Sequence, residues 1–133
     1  MKIRYSISLW NFTHYVFSPS LERLIEGIRS QGFGIEIWCR GSGEDDLYDA
    51  IGRRRLKPVL KGMTVSLHTS GTAVNFDTHK KQIDAAADLG AELIVLHSPN
   101  IARREALNEL DVDLAGRVQQ EAARVGVKLA LEN

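Results

Sequence analysis

Cysteine is all but missing from this chain: Cys39 stands alone. No internal disulfide can form, so the cytoplasm, a reducing compartment, is the expected location. Cys39 itself reads as a small half-buried bystander rather than a reactive thiol. Net charge is missing too, since 17 basic side chains cancel 17 acidic ones. No whole-molecule field therefore attracts nucleic acid or an anionic membrane. No apolar run approaches the roughly 20 residues that a transmembrane helix requires. The first residues, Met1-Lys2-Ile3-Arg4-Tyr5, alternate polar and apolar where a signal peptide needs a continuous apolar stretch. A glycine-rich phosphate loop, a CxxC pair and a nucleophile elbow are all lacking. So are low-complexity tracts and linkers.

The residues that are present suit one soluble globular domain. The chain has 133 residues, 44% of them hydrophobic and 26% charged, enough to bury a real core. A first strand is expected over residues 2–9. Ser18-Pro19 then reads as a helix start, serine capping and proline in the first turn. Leu21, Leu24, Ile25 and Ile28 come next as one apolar stripe, and Gly32 ends that helix. Gly34-Ile35-Glu36-Ile37-Trp38 is the second strand. Residues 41–43 form a loop, residues 45–54 are expected to be helical, and Pro58 interrupts the segment after them. The third strand ends Ser66-Leu67-His68 and the fourth ends Val95-Leu96-His97. Between them a helix begins near Asn75 or Asp77 and stops at Gly90. After Ser98-Pro99-Asn100 comes a polar connection, then a helix with Leu114, Val118, Ala122 and Val125 inward. Gly126 closes it before the fifth strand, Val127-Lys128-Leu129-Ala130-Leu131-Glu132.

Strand and helix alternate throughout, which specifies parallel strands joined by crossovers. Parity then sorts the side chains, because successive strand residues point to opposite faces. Ile3/Tyr5/Ile7/Leu9, Ile35/Ile37, Met63/Val65/Leu67, Ile94/Leu96 and Val127/Leu129/Leu131 are apolar and should face the helices. The opposite parity collects Arg4/Ser6/Ser8, Glu36, Thr64/Ser66/His68, His97 and Lys128/Ala130/Glu132. Three strands ending on His68, His97 and Glu132 suggest one catalytic rim, as at the C-terminal face of an α/β barrel. A single rim histidine is more often structural than functional; two with a carboxylate reverse that weighting. Glu36 divides evenly between a substrate contact and an internal ion pair with Arg4 or Lys128. His14 and His79 carry no site role. The basic cluster Arg53-Arg54-Arg55, Lys57 and Lys61 reads as a solvated helix face before a phosphate clamp.

On those residues the chain resembles the xylose isomerase-like barrels: sugar phosphate isomerases/epimerases, inosose dehydratases and endonuclease IV. The carrying motifs are Gly34 to Trp38, Ser66-Leu67-His68, Asp88-Leu89-Gly90-Ala91 with Val95-Leu96-His97, and Gly126-Val127 through Leu131-Glu132-Asn133. The likeness covers the whole chain and matches the first five strands. It implies an α/β fold of the TIM-barrel type, with residues 1–133 as the N-terminal part of a single barrel domain. It further implies that Glu132 is a ligand of a divalent metal (Mn, Mg, Co or Zn) and, in the sugar enzymes, the group that moves the substrate proton. His68 and His97 would line the substrate pocket on the sugar branch and bind zinc on the endonuclease branch. The remaining ligands of the family lie on strands six to eight, so the chain alone is expected to be inactive.

Three readings are then open. The first is a metal-dependent isomerase or epimerase acting on a small sugar, sugar phosphate or polyol. The second is a zinc phosphodiesterase on abasic DNA, which the neutral charge balance disfavours. The third is a non-catalytic barrel fragment. An open fifth-strand edge invites pairing, so residues 1–133 alone are expected to dimerise, aggregate or stay loosely folded.

Overall fold

The structure is a computed structural model that describes residues 5–9, 21–39, 47, 49–69, 75–103 and 106–132. In chain order its elements are β1 (Ser6–Ser8), α1 (Leu21–Ser30), β2 (Gly34–Cys39), α2 (Ala50–Leu60), β3 (Val65–Thr69) and α3 (Phe76–Leu89). β4 (Leu93–His97), β5 (Ala102–Arg103), β6 (Ala106–Leu110), α4 (Val112–Arg124) and β7 (Lys128–Glu132) complete the chain. Five strands form one parallel sheet in sequence order, β1-β2-β3-β4-β7. The helix start at Ser18-Pro19, the loop at residues 41–43, Arg4 and His14 lie outside the described residues. Among those described, no helix is long and apolar enough to cross a membrane.

The sheet buries the parity expected to be apolar. Ile35, Ile37, Val65, Leu67 and Ile94 are buried together with Ile25 and Ile28 of α1, Leu56 and Leu60 of α2, and Ala85, Ala86 and Leu89 of α3. A second cluster joins Leu96 to Ile83, Ile101, Val118 and Ala122. Tyr5 and Leu131 depart from the expectation, being 67% and 57% exposed. Both sit at the outermost strands of the sheet, where a neighbour packs on one side only.

Helices return to strands by a repeated device. Gly32, Gly90 and Gly126 all have φ near 75°, a left-handed turn that only glycine takes without strain. The next residue's N–H reaches back five positions: Phe33 to Ile28, Ala91 to Ala86 and Val127 to Ala122. The run Asp88-Leu89-Gly90-Ala91 is such a turn. Leu89 and Ala91 enter the core while Asp88 accepts hydrogen bonds from Arg53 and Lys57 of α2. Asn75 caps α3 through Oδ1, which accepts from the Thr78 N–H at 2.9 Å, at the start expected from sequence.

Two local expectations are corrected. Pro58 lies inside the last turn of α2 rather than interrupting it. Its missing N–H is the one that would meet the carbonyl of Arg54, an exposed residue beside which water can take that place. A 3-10 turn spans Ser98–Ile101, and the polar connection after it contains the antiparallel β5–β6 pair.

The basic cluster is mostly spent on holding helices together. Arg53 and Lys57 pair with Asp88 of α3, and Arg55 pairs with Glu22 of α1. The hydrogen bond from Lys57, then that from Arg53, hold the Asp88 carboxyl below the usual carboxylate range. A depressed carboxylate stabilises the fold above its unfolded pKa of about 4, and that contribution is lost as pH falls through the folded value. Asp88→Asn should therefore cost about 1 kcal/mol at pH 7, solvent screening keeping it small. Urea unfolding at pH 7 and pH 3 should show the two proteins converging in acid.

Gly34 shows where the sheet tolerates no side chain. A Cβ there would lie 2.5 Å from Ser6 Oγ and 2.8 Å from the Thr64 carbonyl oxygen. That carbonyl also accepts the Ile35 N–H at 2.8 Å, so it cannot retreat freely. Gly34→Ala should lower stability by roughly 1–3 kcal/mol, the usual cost of overpacking, read as a lower urea midpoint with unchanged slope.

Candidate active site

Strand register brings the polar parity together. Trp38 is level with His68, His68 with Val95, Val95 with Ala130, and His97 with Glu132. His68 therefore reaches across β4, over Val95, towards the carboxylate of β7. Its Nε2 lies 2.8 Å from Glu132 Oε2, and His97 Nδ1 lies 4.0 Å from the same oxygen. The three expected rim residues do converge. Their ligand atoms lie within 4.8 Å of one another.

His68 is the best-held side chain of the group. It is 6% exposed, its ring stacks on Trp38 at 5.1 Å and 11°, and His97 meets it edge-on at 4.8 Å. Nδ1 lies 2.9 Å from the Thr69 carbonyl oxygen. A carbonyl only accepts, so Nδ1 carries a proton and donates it. That leaves Nε2 facing Glu132 Oε2 at hydrogen-bond distance. The hydrogen bond from His68 holds the Glu132 carboxyl below the ordinary carboxylate range, against a smaller opposing effect of burial. Glu132 itself remains half exposed, at 54% of its side chain.

The cluster opens into a cleft of about 610 Å³ lined by Ser8, Glu36, Trp38, His68, Val95, His97, Leu131 and Glu132. Glu36 is on its wall, and no ion pair between Glu36 and Lys128 is present among the described residues. Trp38 is the residue that sequence reasoning overlooked, although the parity that selected Glu36 selects it two positions later. His79, given no site role, is fully buried within α3.

The donor set fits a divalent metal. An imidazole whose Nδ1–H is tied to a carbonyl presents Nε2 as a ligand, and two imidazoles with one carboxylate are a common catalytic zinc set. No protein-family model matches the chain, nor does any curated protein. Solved structures do match it. The TTHB071 protein from Thermus thermophilus, soaked with ZnCl2, matches at TM-score 0.65 and 21% identity, covering 100% of this chain and 56% of that one. A sugar phosphate isomerase/epimerase from Parabacteroides distasonis matches at 0.66 and 16%, over 96% and 50%. A D-psicose 3-epimerase crystallised with D-fructose matches at 0.66 and 13%, over 97% and 52%. The fold is an α/β fold of the TIM-barrel type, five parallel strands alternating with helices. The chain spans about half the length of the barrels it matches, and identities this low speak to the fold alone. The rim cluster lies at the C-terminal ends of β3, β4 and β7, the end at which such barrels carry their chemistry.

Proposed function

We propose that this chain is the N-terminal part of a metal-dependent isomerase or epimerase acting on a small sugar or sugar phosphate. The observation that carries the reading is the 2.8 Å contact of His68 Nε2 with Glu132 Oε2 on the polar rim. Glu132, kept ionised by that hydrogen bond, takes the proton next to a substrate carbonyl and returns it to the substrate. His68 holds that carboxylate in place, its own Nδ1–H being tied to Thr69. His97 and Glu36, on the cleft wall, meet substrate hydroxyls. A divalent metal held at Glu132, when bound, supplies Lewis acidity that withdraws charge from the carbonyl oxygen. The likeness to a sugar phosphate isomerase/epimerase and a D-psicose 3-epimerase supports the same class. The test is solvent exchange: ketohexoses, aldoses and their phosphates incubated in D2O with the intact protein, of which this chain is the N-terminal part, and Mn²⁺ should gain deuterium next to the carbonyl. No exchange across that panel would overturn the reading.

A zinc phosphodiesterase is favoured by one observation, the two imidazoles and carboxylate within 4.8 Å. On that reading His68 and His97 are both ligands, and abasic DNA rather than a sugar is cleaved.

A further inference from the structure

We propose that Trp38 is the positioning residue of this site: its indole fixes the plane of the His68 imidazole and thereby the direction of Nε2. The inference rests on the proposed function only where it concerns metal. Its basis is the way His68 is restrained.

A histidine ring turns broadly about χ2. The 2.9 Å contact of Nδ1 with the Thr69 carbonyl anchors one ring atom, and the ring can still rock about that bond. Rocking sweeps Nε2 sideways, away from Glu132. The neighbours on either side of β3 block that motion. Trp38, level with His68 on β2, lays a flat face at 5.1 Å and 11°, a separation close to the strand spacing itself. His97 on β4 closes the other side at 4.8 Å and 62°. Any large rotation of the imidazole drives an edge into the indole.

A flat partner is needed here, and bulk alone does not supply it. Leucine at position 38 would fill space across the strand gap but offer no plane, leaving the ring free to tilt. Phenylalanine would keep the plane with a smaller area. The indole also covers one face of a ring that is 6% exposed.

The test needs no substrate. In the intact protein, His68 ring protons, assigned with His68→Gln, should be shifted upfield by the indole ring current, and the Nδ1 proton should exchange slowly. Trp38→Phe should keep the slow Nδ1 proton, and Trp38→Leu should lose it. Cobalt(II) alone, followed by its visible spectrum, should bind about tenfold more weakly to Trp38→Leu, because a tilted His68 no longer steadies the Glu132 carboxylate. Trp38→Phe should recover most of that affinity. An unshifted wild-type ring overturns the proposal without any variant. So does a Trp38→Leu protein that keeps both the slow proton and the cobalt, or a Trp38→Phe protein as impaired as Trp38→Leu. If the wild type binds no cobalt, the metal reading fails, and the Nδ1 proton still decides the role of Trp38.

Discussion

Glu132→Gln is expected to lower substrate-proton exchange by roughly 10²–10⁴-fold, the range that general acid–base catalysis supplies. The amide keeps the shape of the side chain, so the fold and the cleft should be unchanged. It cannot accept a proton at neutral pH, and it replaces the carboxylate that His68 Nε2 meets at 2.8 Å. Metal affinity should fall in parallel, because an amide oxygen is a weaker and uncharged ligand. The wild-type pH profile checks the same group. The His68 hydrogen bond keeps Glu132 ionised below the ordinary carboxylate range, so the acid limb of the exchange rate should appear at unusually low pH. Exchange and bound metal measured on one preparation of each protein decide this. A Gln variant with full exchange and full metal removes Glu132 from the mechanism.

The architecture was legible because three signals agreed. Apolar residues alternate along β2, β3 and β7, β4 is a short apolar run ending on His97, the intervening segments keep a helical stripe, and glycines at 32, 90 and 126 punctuate them. Each signal has a direct physical counterpart in the sheet, the buried helix faces and the left-handed turns. Where signals were short or conflicting, reading failed. Ala102–Arg103 is too brief to show alternation, so the β5–β6 pair read as connection. Pro58 read as a breaker because sequence does not say that the carbonyl it orphans is solvated. Tyr5 and Leu131 obeyed parity yet stayed exposed, since parity gives a face without saying what covers it.

The site was legible to the level of strand register and no further. Residues of like parity on neighbouring parallel strands must share a face, and that alone assembled His68, His97 and Glu132. Which of them touch depends on rotamers. The turn of His68 towards Thr69 and its reach over Val95 depend on small side chains at Val95 and Ala130, which look like filler in the sequence. Trp38 was hidden for a related reason: an aromatic at a strand end reads as core until its parity is traced.

Removing each histidine should expose their unequal parts. His68 is 8% exposed in its side chain and lies 2.8 Å from Glu132, whereas His97 is 33% exposed and 4.0 Å away. His68→Ala therefore deletes the hydrogen bond that holds the carboxylate, and the rate should fall roughly 10- to 150-fold. His97→Ala deletes at most an ordinary contact with substrate, about 0.5–1.5 kcal/mol or two- to twelvefold. Losing His68 also frees Glu132 from the hydrogen bond that depresses its pKa, so the acid limb should move up towards the ordinary carboxylate range. Losing His97 should barely move it. On the sugar reading, metal analysis should find both variants near wild-type stoichiometry with ligands beyond the two histidines. On the phosphodiesterase reading, both should lose zinc together. Equal damage from the two changes, with no shift of the acid limb in His68→Ala, would mean that the 2.8 Å contact does not govern the carboxylate. The role of holding the carboxylate would then have to pass from His68 to another group.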